Sequence, residues 1–174
     1  TFFTGQTAVI LHVFDAENTL KAIQEHKIDC FGQIPAMFNM QYRLPNFRDY
    51  DLSSVTRVLY GGQQVSHEFI RQLYEHFPTV GTGLGLSEMA GFVTYTGMTD
   101  NIEQLSNTVG WWAPITPLTI RKPMNDDGSA GDELPAGDAG EICFAGPQVF
   151  IDYVNNRDAY CKTVTSDGFC YKGD

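Results

Sequence analysis

The strongest constraint on the fold of this chain is an alternation of short apolar runs with amphipathic stretches, repeated three times before Pro78. Ala8-Val-Ile-Leu11 reads as a strand, and residues 16–27 follow it as a helix on which Ala16, Leu20 and Ile23 share a face. Residues 28–31 read as a second strand; Gly32-Gln-Ile-Pro35 breaks it, and 36–43 resumes a helical pattern. Residues 55–60 read as a third strand with Gly61-Gly62 as its turn. Ser66 then reads as the N-cap of a helix carrying Phe69, Ile70, Leu73 and Phe77 on one face, closed by Pro78. Short strands separated by helices predict an α/β fold, with a mostly parallel sheet and helices packed on it.

After about Asn107 the texture changes to short alternating segments, Leu118-Thr-Ile-Arg121 and Glu141-Ile-Cys-Phe144. A smaller β-rich segment, a partial barrel, is expected there, dividing the chain into an α/β part over residues 1–106 and a β-rich part over 107–174. The polar stretch 125–132 has the Asp and Gly content of a calcium loop. It lacks the bidentate Glu at the twelfth position and reads as a hairpin tip. Residues 155–163 read as a short helix, and Asp167-Gly168 as a tight turn before a last strand.

Eleven Lys and Arg against 21 Asp and Glu leave a net charge of −10 on 174 residues. That charge repels nucleic-acid backbones and anionic lipid headgroups, so neither is an expected partner. A phosphorylated ligand would need local cations, a metal or backbone amides. Cys30, Cys143, Cys161 and Cys170 form no CxxC pair and read as cytosolic thiols, which points to the cytoplasm. No run approaches the roughly 18 apolar residues of a membrane span. The four His residues show no metal spacing, and no Ser sits in a nucleophile elbow.

Three segments, in order, carry a more specific signal. Gly61-Gly62-Gln63 lies between a strand and a helix. Thr82-Gly83-Leu84-Gly85-Leu86-Ser87-Glu88 is a Gly-rich run ending in a hydroxyl and a carboxylate. The third series runs from Thr108-Val-Gly110 through Gly137-Asp-Ala-Gly-Glu141-Ile, Gly146-Pro147, Tyr153 and Asn155-Asn156 to Asp167-Gly-Phe169 and Gly173-Asp174. Together they resemble the adenylate-forming (AMP-binding) superfamily, in particular its acyl-CoA synthetases and ligases, over essentially the whole chain. The chain looks like an internal fragment of that family's large N-terminal domain.

The resemblance implies an ATP-dependent, AMP-forming carboxylate–CoA ligase that makes an acyl adenylate and then an acyl-CoA thioester, as in fatty acid metabolism. It implies ATP or AMP, Mg²⁺ and CoA as cofactors and a small carboxylic acid as substrate. Glu88 is expected to hold Mg²⁺ against the phosphates, and Ser87 to contact the α-phosphate. Gly61, Gly62, Gln63, Thr82, Gly83, Leu84 and Gly85 are expected around the nucleotide, with glycines allowing close backbone approach. Asp174 is expected at the ribose hydroxyls. Gly32, Gln33, Ile34 and Pro35, with Met89, Ala90 and Gly91, are the expected acyl-pocket walls. Taken singly, Glu88 also reads as a helix-start carboxylate and Gly61-Gly62 as an ordinary turn.

Leu84 stands where the family has an aromatic residue that stacks on adenine, and Thr82 replaces the usual Asn or Asp neighbour of the adenine amino group. Ser87, Phe169 and Lys172 replace Thr, Trp and Thr. The family's phosphate loop is expected to precede residue 1 and its catalytic Lys to follow residue 174, so the chain alone is expected to be inactive and to need the rest of its polypeptide. A peptide-synthetase adenylation domain and a non-catalytic acyl- or nucleotide-binding relative stay open as alternatives.

Overall fold

In the computed structural model, which describes residues 5–173, Asp15 Oδ1 accepts the amide of Asn18 at 2.7 Å and starts α1 (Ala16–His26). Lys27, at φ 51°, ends the helix in the left-handed region. The amphipathic pattern is realised, with Leu20 and Ile23 buried. β1 (Cys30–Gln33) leads through Ile34 to α2 (Pro35–Tyr42), where Pro35 occupies a first-turn position that needs no amide donor. β2 (Arg57–Tyr60) is followed by α3 (His67–Tyr74), capped by Ser66, whose Oγ accepts from the Phe69 amide at 3.2 Å. β3 (Val80–Thr82) completes a parallel sheet of order β1-β2-β3, with Phe31 opposite Val58 and Val58 opposite Val80.

The α/β expectation therefore holds, with one correction at its start. Residues 8–11 form no strand; Ile10 is 86% exposed, and the run pairs with no strand among the described residues. An apolar run becomes a strand only where a neighbour takes its amides and carbonyls. Here the sheet begins at β1 instead.

The core of this part packs Ile23, Phe38, Val58, Ile70, Leu73, Phe77 and Val80, with Leu105 of α4 (Ile102–Asn107). Aromatic rings meet edge to face at Phe31–Phe77, Phe38–Phe69 and Tyr60–Phe69. The Tyr60 hydroxyl donates to the Leu105 carbonyl at 3.1 Å, which satisfies its buried polar end.

Contacts divide the chain into two compact units, the first from Thr1–Gly83 with Thr96–Gly110, the second from Leu84–Tyr95 with Trp111–Asp174. The second unit contains two short antiparallel pairs, β4 (Gly85–Leu86) with β5 (Gly91–Phe92) and β6 (Thr94–Tyr95) with β7 (Trp111–Trp112). It also contains an antiparallel sheet of order β10-β9-β8, formed by β8 (Leu118–Arg121), β9 (Glu141–Phe144) and β10 (Cys170–Tyr171). α5 (Arg157–Thr163) is capped by Asn156. Met89, Val93, Phe144, Val164 and Cys170 form its core. The stretch between β8 and β9 turns at Asn125–Ser129, closed by the Gly128 amide on the Asn125 carbonyl at 2.9 Å.

Candidate functional site

The geometry of the second unit centres on the β4–β5 hairpin. A Cβ at Gly85 would lie 2.8 Å from the Gly91 carbonyl oxygen, so the two strands approach as closely as they do because residue 85 has no side chain. Between them Ser87–Met89 make one 3₁₀ turn, and Ala90 (φ 56°) and Gly91 (φ 133°) reverse the chain. The turn sends Met89 fully into the core and leaves Glu88 half-buried and Ser87 exposed. Of the expected acyl-pocket walls on this hairpin, Ala90 and Gly91 are exposed, while Met89 is a core residue.

A downstream segment grips this turn. The Phe150 amide donates to the Glu88 carbonyl at 2.8 Å, and Gln148 Nε2 donates to the Met89 carbonyl at 3.5 Å. Thr116 donates to the Gln148 side-chain oxygen, fixing that amide. The Tyr153 hydroxyl donates to Glu88 Oε1 at 2.7 Å, a charge-assisted length. The carboxylate in turn holds the Tyr153 phenol above the usual tyrosine range.

Glu88 and Tyr153 face a cleft of about 530 Å³, lined also by Leu86, Glu141, Lys162, Lys172 and Gly173. Lys162 and Lys172 both line this cleft and bring positive charge to it in an acidic chain. Among the described residues no group of three His, Cys, Asp or Glu side chains could hold a metal by itself. The bond from Tyr153 engages Oε1 alone of the two Glu88 oxygens. A single cleft carboxylate suits Mg²⁺, which takes few protein ligands and draws the rest from phosphate and water.

In the first unit, pairing of Gln33 with Tyr60 brings residues 32–35 beside the turn at Gly61-Gly62. A Cβ at Gly62 would meet Ile34 Cγ2 at 3.3 Å, and Gly62 has φ 90°. Ile34 is exposed, Pro35 is buried, and Gln33 exchanges side-chain amide bonds with Gln41 at 2.9 and 3.2 Å. Gly32 faces Leu59 across the sheet, and Gln63 is exposed. Thr82 is buried, and its hydroxyl donates to the Tyr60 carbonyl at 2.9 Å, leaving only lone pairs for another partner. Gly83 closes this unit and Leu84 opens the other.

Leu84 is half-buried and packs against the core around Met89 and Val93. Its amide donates to Thr94 Oγ1 at 2.9 Å, and its carbonyl accepts from the Val93 amide at 2.8 Å. A branched aliphatic side chain is what that environment accommodates. The expectation for Asp174 lies outside the described residues, although its neighbour Gly173 lines the cleft. Tyr153 was legible in the motif series, and Lys172 as a departure from the family's Thr, but neither the bond of Tyr153 to Glu88 nor Lys162 carried a sequence signal of its own.

A model of the family described as AMP-binding enzyme matches residues 1–154. The chain is 30% identical to the "Probable CoA ligase CCL5" of Humulus lupulus, over 98% of its own length and 31% of that protein. It is 29% identical to a 4-coumarate–CoA ligase of Nicotiana tabacum, over 98% of its length and 31% of that protein. It thus spans about a third of the length of each of these two relatives. The structure superposes on the unliganded O-succinylbenzoate coenzyme A synthetase of Bacillus subtilis with a TM-score of 0.76 and 19% identity, covering 98% of this chain and 35% of that one. At that identity the superposition speaks for the shared fold alone.

Proposed function

The chain belongs to the AMP-binding enzyme family, and from that premise we propose that it carries part of the active site of an ATP-dependent, AMP-forming carboxylate–CoA ligase. The observation that carries the reading is Glu88, presented by a tight turn at a cleft with one carboxylate oxygen held by Tyr153. Glu88 would hold Mg²⁺, which when bound supplies the charge that neutralises the phosphates. Ser87, exposed beside it, would donate its hydroxyl to the α-phosphate, and Asp174, next to a cleft-lining glycine, would accept from the ribose hydroxyls. The family resemblance assigns Gly61, Gly62, Gln63 and residues 82–85 to the nucleotide, and residues 32–35 and 89–91 to the acyl group. CoA would accept it, in a cytoplasmic enzyme with a small carboxylic acid as substrate.

The complete reaction would need further segments of the same polypeptide, because the chain matches only 31% of its relatives' length. The test is ATP–pyrophosphate exchange across short, medium, long and aromatic carboxylates. Exchange is expected from the complete polypeptide with one class of acid and not from the 174-residue chain. Exchange by the chain alone would refute the division of labour, and silence of the complete, folded protein would refute the ligase reading.

A second reading, a non-catalytic relative that binds an acyl or nucleotide ligand, is favoured by Leu84 and Thr82. One is committed to core packing and the other to Tyr60, where the family resemblance expects adenine contacts. ATP binding without exchange would select it.

A further inference from the structure

We propose that Tyr153 is a positioning residue for Glu88, setting which carboxylate oxygen is offered to a cation, an assignment that rests on the ligase reading above. A glutamate at the edge of a cleft can rotate about its side-chain torsions, and ordering it costs conformational entropy at every binding event. Here the cost is met in advance. Tyr153 Oη fixes Oε1 at 2.7 Å and the Phe150 amide fixes the main chain of the same residue at 2.8 Å. Glu88 is therefore held at both ends by one four-residue segment, 150–153.

Tyr153 is itself held from two directions. Its ring meets Phe150 at 4.6 Å, and the Phe150 ring meets Tyr160 of α5 at 5.3 Å. Its amide donates to Asp152 Oδ1 at 2.9 Å, Asp152 Oδ2 pairs with Arg157 at 2.9 Å, and the Arg157 guanidinium lies 4.3 Å from the centre of the Tyr160 ring. The hydroxyl thus has a fixed origin.

The chemistry of the donor matters as much as its position. A lysine or arginine in this place would neutralise Glu88 and compete with a divalent cation. A phenol orients the carboxylate through a hydrogen bond and leaves its full negative charge available. With Oε1 engaged, Oε2 is the oxygen presented.

The experiment is calorimetric titration of the complete polypeptide with ATP, with and without Mg²⁺, for the wild type, Tyr153→Phe, Glu88→Gln and the double variant. Tyr153→Phe keeps the ring on Phe150, and Glu88→Asp, which withdraws the carboxylate from Tyr153 by one methylene while keeping its charge, provides an independent second variant. Removing a hydrogen bond to a charged group predicts that Tyr153→Phe cuts the Mg²⁺-dependent gain in affinity by about tenfold. Glu88→Asp is expected to lose a similar share of the gain. In the Glu88→Gln background Tyr153→Phe is expected to add nothing, which a general packing role would not reproduce. A gain lost in Glu88→Gln but intact in Tyr153→Phe and Glu88→Asp would overturn the positioning role and leave the ligase reading standing. No Mg²⁺-dependent gain in the wild type would overturn both.

Discussion

The Tyr153 hydroxyl lies 2.7 Å from Glu88 Oε1 across 65 residues of sequence. A bond between two such distant residues ties the Gly-rich signature to the later series of motifs, and it makes Glu88 the natural first residue to change. If Glu88 holds the metal, Glu88→Gln keeps the side-chain shape and the Tyr153 contact but removes the charge. Loss of about 3 kcal/mol of charge stabilisation corresponds to roughly 100-fold slower carboxylate-dependent exchange in the complete enzyme. Steady-state exchange at saturating Mg²⁺ checks this.

Gly85 is a steric prediction. A methyl group there would meet the Gly91 carbonyl oxygen at 2.8 Å, and that oxygen belongs to the backbone of the paired strand and cannot swing aside. Gly85→Ala is expected to cost about 1–3 kcal/mol as the hairpin opens. Urea denaturation of the chain measures it; an unchanged midpoint would show that the strands part freely.

Leu84 gives a packing prediction that separates its two expected roles. As a side chain against Met89 and Val93, Leu84→Ala should lower stability by about 2 kcal/mol. A residue acting only on adenine would leave the midpoint of unfolding where it was.

Burial pushes the thiols of Cys143 and Cys170 up to about 11, whereas Cys161 is exposed. Iodoacetamide at pH 8 is expected to modify Cys161 first and to reach Cys143 and Cys170 only when the fold opens, as peptide mass mapping would report. The sign of the pH effect follows. In the unfolded chain these thiols ionise near their ordinary 9.0, while in the folded protein they stay protonated to about 11. Their contribution is complete below pH 9 and is lost as pH rises towards 11, so the urea midpoint should fall across that window.

The sequence made the periodic elements legible. α1 and α3 follow apolar spacing, α3 starts at its expected cap Ser66, and residues 118–121 and 141–144 form strands with the limits their alternation suggested. Two-residue strands such as Gly85–Leu86 and Gly91–Phe92 are too short for a period and are set by pairing alone. Residues 8–11 had the composition of a strand and pair with no strand among the described residues. Family order drew attention to Glu88, but its partner is a long-range contact that no local pattern encodes. For Leu84 the departure from the family was visible, and its physical reason, a place against Met89, required the folded hairpin.

The interleaving of the two compact units sets a schedule for synthesis. Residues 84–95 leave the ribosome before 96–110, which belong to the earlier unit, and well before Phe144, Val164 and Cys170, against which Met89 and Val93 pack. During vectorial folding the α/β layers can close while the signature hairpin, its apolar side still uncovered, waits for a partner about fifty residues away. A pause or truncation in that interval would leave the nascent chain with a finished sheet and a sticky, unfinished acid-bearing loop, the state a chaperone would meet.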